Sequence, residues 1–255
     1  MNIEFLTFLR REVYRFMVLY KQTIVPALLS SLLYILVFGE ALGSRIGPLE
    51  GQSYMSYIVP GLAMMSVITQ SYQNSASSIM QAKYLKFIED ILIAPLSGLQ
   101  VSLGYIIGGA MRGLICGLGI LIMCIILSKI PNAQGDFNIN NWPLTILYLL
   151  TVSWTFSAFG VIIGIVAKSW DEIGSFSNFI FMPMTFLGGV FYSVDMLSEP
   201  RRTISYFNPI YWMISGLRYS TLNIGEHLNL ISLFLCIGFS CLFTCLLYTS
   251  PSPRD

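Results

Sequence analysis

The chain has 255 residues, 55% of them hydrophobic and 11% charged, with a formal net charge of +1. Soluble domains carry about 25% charged residues, so this much apolar surface needs lipid as part of its solvent. A near-neutral charge gives no electrostatic footprint for nucleic acid, and a single histidine, His227, builds no metal cluster.

The elements read in chain order as an all-α membrane protein with six transmembrane helices. A hydrocarbon core about 30 Å thick needs about 20 helical residues, since each rises about 1.5 Å. Residues 1–21 come first. Leu6, Leu9, Val13, Phe16, Met17 and Tyr20 recur at helical spacing, and Glu4, Arg11 and Arg15 share another face. This is the pattern of an N-terminal interfacial helix lying on the membrane surface, and the spread of its basic residues does not fit a cleavable signal peptide. The spans follow at about 23–38, 54–80, 99–127, 142–167, 173–194 and 228–248. The second is the most polar, with Gln70, Gln73, Asn74, Ser75, Ser77 and Ser78 in its later half. Pro60–Gly61 and Pro183 interrupt helical stretches and read as kinks or bends.

Two segments between spans stand out. Residues 83–95 form a short amphipathic helix. Tyr84, Phe87, Ile88, Ile91 and Leu92 take one face, Lys83, Lys86, Glu89 and Asp90 the other, and Pro95 ends it. Its pattern fits a partner-docking helix or a plain surface helix. Residues 204–217 are apolar and aromatic but too short to cross, and Asn208–Pro209 breaks them. A re-entrant or interfacial hairpin is expected over about 196–218, or else an aromatic belt of Tyr206, Phe207, Tyr211 and Trp212. Residues 248–255 resemble adaptor-derived read-through; they are expected to be a non-native tail standing where a short basic segment would continue the chain. The Lys/Arg distribution favours a cytoplasmic N-terminus. That places Arg10, Arg11, Arg15, Lys21, Lys83, Lys86 and Lys168 inside, and leaves Arg45, Lys129, Arg201, Arg202 and Arg218 outside.

Within the spans, Arg112 reads as the one deep charge. It is either a substrate contact or gate, or a structural cation bonded to helix carbonyls or to a carboxylate such as Glu40. Gly104 and Gly108, and then Gly109, Gly113 and Gly117, repeat every fourth residue and predict close helix packing. Gln70, Gln73 and Asn74 are candidates for a pathway or gate. Cys116, Cys124, Cys236, Cys241 and Cys245 fall in apolar runs without a CxxC pair and read as packing residues. The chain has no GxxxxGK[ST] loop, no HExxH and no GxSxG, and no carboxylate pair lies at mid-membrane. No catalytic residues, metal site or cofactor are expected in it.

Five blocks together carry a family resemblance: FGEALGSRIG at 38–47, YMSYIVPGLAMMSVIT at 54–69, IEDILIAP at 88–95, LGGVFYS at 187–193 and NPIYWMISGLRY at 208–219. With them the chain, over about residues 12–247, resembles the permease subunits of ABC-2-type bacterial transporters, in their YadH-like branch. The resemblance implies one transmembrane domain over 22–247 in a multi-pass inner-membrane protein. It implies that 83–95 is a cytoplasmic coupling helix, with Phe87, Ile88, Glu89, Asp90, Ile91 and Pro95 meeting a separate ATPase. It implies that Phe207, Asn208, Pro209, Tyr211 and Trp212 belong to external re-entrant helices. The implied partners are two copies of an ABC ATPase subunit, which bind the ATP and Mg, and a second permease copy in a homodimer. The residues alone leave other readings: a stand-alone secondary carrier or channel, a membrane scaffold, or, least in keeping with one histidine, an intramembrane enzyme.

Overall fold

A computed structural model describes residues 3–129, 137–225 and 229–249, apart from the side chains of 40–42, 44, 92, 229, 230, 248 and 249. His227 and residues 250–255 of the expected tail lie outside the described residues. The architecture is all-helical. In chain order it comprises α1 (Ile3–Val18), α2 (Tyr20–Thr23), α3 (Val25–Leu36), α4 (Gly43–Ile46), α5 (Tyr54–Tyr84), α6 (Ile88–Ile93), α7 (Gly98–Ser128), α8 (Trp142–Val166), α9 (Trp170–Ser175), α10 (Met182–Leu187), α11 (Glu199–Phe207), α12 (Pro209–Leu222) and α13 (Asn229–Thr249). π-Helical turns join α3 to α4 over Val37–Leu42 and α9 to α10 over Phe176–Phe181. The second precedes Pro183, which has no N–H to give the carbonyl four residues back; widening the turn accommodates the ring.

By length and composition, Tyr20–Gly39, Gly98–Ser128 and Trp142–Val166 can each cross a membrane, and Ile231–Leu247 is a shorter apolar helix. The centre of the bundle is instead the polar α5, which packs most extensively on α8 and α7. Val59, Ala63, Val67, Ile68, Ser71, Tyr72 and Ser75 are fully buried, whereas Val25, Leu29, Leu33 and Leu36 on the more apolar α3 are exposed. In lipid the apolar helix loses nothing by facing outward, and the polar one needs protein partners.

The glycines of α7 explain how closely the helices meet. Gly109, Gly113 and Gly117 face α5, with Ser71, Ser75 and Val67 occupying the space a Cβ would need. At this seam the Ser75 and Ser157 hydroxyls lie 2.6 Å apart, and Ser157 donates to the Ile106 carbonyl at 2.7 Å. Gly104 and Gly108 form a second stripe that receives α1: a Cβ at Gly104 would overlap the Phe8 ring, and one at Gly108 would stand 3.0 Å from Glu12 Cβ.

Several expectations change. The segment 83–95 is not one helix: α5 runs on to Tyr84, Leu85–Phe87 turn with Lys86 at φ +60°, and only Ile88–Ile93 is helical again. Tyr84, expected on the packed face, is 75% exposed. The fifth stretch ends at Leu187, not near 194, because Gly188 and Gly189 turn the chain, Gly189 at φ +78°. On α1 the packed face is Phe8, Glu12 and Phe16, while Leu6, Met17 and Tyr20 are exposed. The glycine stripe admits the Phe8 ring beside a short polar contact, so it selects a different face from the one hydrophobicity alone would choose.

Candidate functional site

At one end of the bundle, α1, the end of α5, α6 and the α8–α9 corner meet. α6 starts with Glu89 and Asp90 in its first turn, both exposed, where acidic side chains complement the helix dipole. Behind them Ile91 is buried with Phe8, Ile79, Ala82 and Leu96, and Phe87 and Ile88 are half-buried against the same cluster. Pro95 is exposed and closes the segment; the extended Ala94 before it obeys the restriction proline places on its neighbour.

α1 holds this segment through Arg11. Its guanidinium lies 5.0 Å from the Phe87 ring centroid and 5.2 Å from that of Phe8. It also pairs with Glu12 at 3.0 Å. Glu12 is 1% exposed and accepts a hydrogen bond from the Ser78 hydroxyl on α5. Arg15 completes the cluster, donating to the backbone and side-chain oxygens of Asn74 at 3.0 and 3.1 Å and to Gln81 at 3.4 Å. Burial lowers the Arg15 pKa and Glu12 opposes that shift. A buried carboxylate costs several kcal/mol, on the order estimated for unpaired ions, unless it is paired and hydrogen-bonded in this way. Between α1 and α6 lies an open groove of about 860 Å³, lined by Ile3, Phe8, Arg15, Gln81, Asp90, Leu96 and their neighbours.

Farther along α5, Arg112 of α7 is buried. It donates to the Gln70 amide oxygen and, at 3.3 Å, to the Thr23 carbonyl. A helix carbonyl and the Gln70 amide are its acceptors among the described residues; the Glu40 side chain lies outside them. Thr23 ends α2, just before Pro26, where helix carbonyls lack a following N–H. Gln73 is half-buried on the same helix as buried Asn74. A cleft of about 140 Å³ between α3 and α5 is lined by the uncharged polar side chains of Ser30, Ser31, Tyr34, Ser66, Thr69 and Gln70, together with Ala27, Leu62 and Met65.

The other end is built around α11 and α12, a two-helix unit broken at Asn208–Pro209. Asn208 caps α12 by accepting from Ile210 N at 3.0 Å, and its amide donates to the Met184 carbonyl at 2.6 Å. Trp212 donates to the Tyr206 carbonyl at 2.8 Å, Tyr206 and Tyr211 meet at 5.3 Å, and Phe207 is 85% exposed. Arg218, which the loop reading placed outside, is 7% exposed. Its guanidinium sits 3.9 Å from the Tyr57 ring centroid and donates to the Gly189 carbonyl at 2.9 Å. Arg218 is thus a further buried cation beside Arg112.

Sequence reasoning missed Glu12, and named Arg15, Lys83 and Arg218 without their buried partners. Glu12 carried a signal, falling midway between Phe8 and Phe16 on one helical stripe. Lys83 carried none, because its partners are the carbonyls of Ile165 and Ala167, far along the chain.

Comparison with known proteins adds to this geometry. Residues 3–222 match the family model described as ABC-2 type transporter. The chain is 43% identical over 216 residues to the inner membrane transport permease YadH of Escherichia coli (strain K12), covering 85% of this chain and 82% of that protein. It is 22% identical over 227 residues to nodulation protein J of Rhizobium leguminosarum bv. viciae, covering 85% and 83% respectively.

Proposed function

This chain belongs to the ABC-2 type transporter family, and from that premise we propose that it is the membrane-spanning permease subunit of an ATP-driven exporter, coupled to a separate ATPase subunit through α6. The family and the apolar helices make it a membrane protein. In the proposed arrangement six helical passes cross the bacterial inner membrane, with α1 on the cytoplasmic surface. Two copies form the pathway and bind two ATPases, which supply the ATP and Mg. The chain has no phosphate-binding loop of its own.

One observation carries the coupling role. Glu89 and Asp90 are exposed at the head of α6, while Ile91 and the Arg11–Phe87 contact fasten that helix to α1 and the bundle. An exposed charged surface on a firmly anchored short helix is suited to receive a push and pass it on. The ATPase can drive the permease only if its ATP-closed form binds one permease conformation better than the other. Glu89 and Asp90 fix register by charge, and Phe87, Ile88 and Ile91 carry the motion inward. The uncharged cleft lined by Ser30, Ser66, Thr69 and Gln70 is the proposed place for polar groups of the cargo; Gln73 and Asn74 continue that polar strip. α11 and α12 form the external re-entrant unit.

The test is the double variant Glu89→Ala, Asp90→Ala in membrane vesicles with the ATPase. Membrane insertion should match the parent, and transport per ATP hydrolysed should fall. Normal coupled transport by that variant would remove the assignment.

A further inference from the structure

The two loops at the α6 end are separate in sequence yet joined by one side chain. Lys83, in the last turn of α5, points its ammonium at the C-terminus of α8, donating to the Ile165 carbonyl and, at 3.2 Å, to the Ala167 carbonyl. The last carbonyls of a helix have no partner within it, and they form the negative end of its dipole, so a lysine there satisfies both needs. Ala167 is the extended residue that ends α8, and the chain turns into α9 directly after it.

That corner is ordered on its own account. The Lys168 N–H donates to Glu172 Oε2 at 2.8 Å, and the Glu172 N–H donates to the Ser169 hydroxyl at 3.3 Å. Glu172 also acts electrostatically on Lys83, opposing the fall in its pKa caused by partial burial. Tyr72, three turns back on α5, donates to the Ile173 carbonyl at 3.0 Å and so gives α9 a second tie to the same helix. On its other side Lys83 is followed by the Leu85–Phe87 turn and α6.

We infer that Lys83 is a positioning residue that makes the α5–α6 turn and the α8–α9 corner move as one unit, so that displacement of α6 reaches the α9–α10 helix as well as α5. The inference rests on the coupling role proposed above for its direction of action, though its geometric half stands without it. An ammonium is suited to this role because it holds two carbonyls, two residues apart, at once, and both are fixed to the end of a long helix.

The experiment places spin labels at Leu85→Cys and Asp171→Cys in the full-length chain in nanodiscs, with the exposed Cys241 and Cys245 replaced by serine. Without any ATPase, the parent and Lys83→Arg give one narrow distance population. Lys83→Met loses it and gives a broad one. A narrow population in Lys83→Met, or a broad one in Lys83→Arg, overturns the inference. Should Lys83→Met fail to accumulate, Lys83→Gln, with an amide too short to span both carbonyls, is read in its place against the same outcomes. In the reconstituted complex, Mg-ATP then displaces the Asp171 label in the parent and in Lys83→Arg but not in Lys83→Met; displacement retained in Lys83→Met also overturns the inference. The first arm uses no ATPase, so its result is independent of whether Glu89 and Asp90 couple transport.

Discussion

Near Tyr57, one end of α5 is held by close backbone packing and a cation over a ring, while near Lys83 the other end is held by cations aimed at named oxygens. Around Tyr57, Gly61 lets the Val190 backbone approach so closely that a Cβ would stand 2.9 Å from its Cα, and Arg218 covers the ring. Around Asn74, Ser78 and Lys83, two basic side chains, Arg15 and Lys83, and one carboxylate, Glu12, reach α5 or leave it through directional bonds. Ring and backbone contacts tolerate small slides. Hydrogen bonds to fixed carbonyls do not, because they weaken steeply with angle. Both ends carry such a bond, Arg218 to the Gly189 carbonyl and Lys83 to the Ala167 carbonyl, but at the α6 end two cations, Arg15 and Lys83, each bond more than one oxygen, which suits the proposed transmission of displacement.

The largest effect is expected where both ends depend on the same seam. Gly113 faces the Ser71 side chain and the Val67 carbonyl with no room for a Cβ. Gly113→Leu should cost about 3 kcal/mol, the upper end of overpacking, and should abolish a monodisperse peak in detergent size-exclusion chromatography. A normal peak would mean that the α5–α7 spacing is not fixed by this stripe.

A middle-sized effect belongs to the α12 end alone. Arg218→Met removes the contact with Tyr57 and the bond to the Gly189 carbonyl, and should destabilise the 188–194 turn by about 2 kcal/mol, as for a desolvated cation over a ring. Faster labelling of Tyr192→Cys in this background, with unchanged protease resistance at α6, is the expected readout. Loosening at both ends would erase the contrast between them.

The smallest effect sharpens the α6 end. Lys86 sits at φ +60°, a conformation that costs a side-chain-bearing residue roughly 1–2 kcal/mol. Lys86→Gly should raise thermal stability by up to about 1 kcal/mol, part of the strain being offset by the added freedom of the unfolded chain. A loss of stability would show that the lysine side chain contributes more than its backbone costs.

Much of the bundle was legible in the sequence because hydropathy and chain punctuation report it directly. The spans expected from about 54 and 142 begin where α5 and α8 do, and Asn208–Pro209 separates α11 from α12. The spacing of Gly104 to Gly117 announced close packing, though not that one stripe receives α1 and the other α5. The site was less legible. Glu89 and Asp90 could be read from local pattern, but the contacts that fasten their helix could not. Arg11 meets Phe87, Glu12 meets Ser78 and Lys83 meets Ala167 across long stretches of chain, and no local period encodes such pairings. The burial of Arg218 was not legible because a short apolar segment with a proline break reads as a loop, although α12 is buried along most of its length.

The most direct measurement is photocrosslinking in living cells from a benzophenone amino acid replacing Glu89, with adducts identified by mass spectrometry. The account predicts an adduct with an ATP-hydrolysing subunit whose yield changes when ATP is depleted. Adducts confined to proteins on the opposite side of the membrane, with the ATPase absent from them, would contradict it.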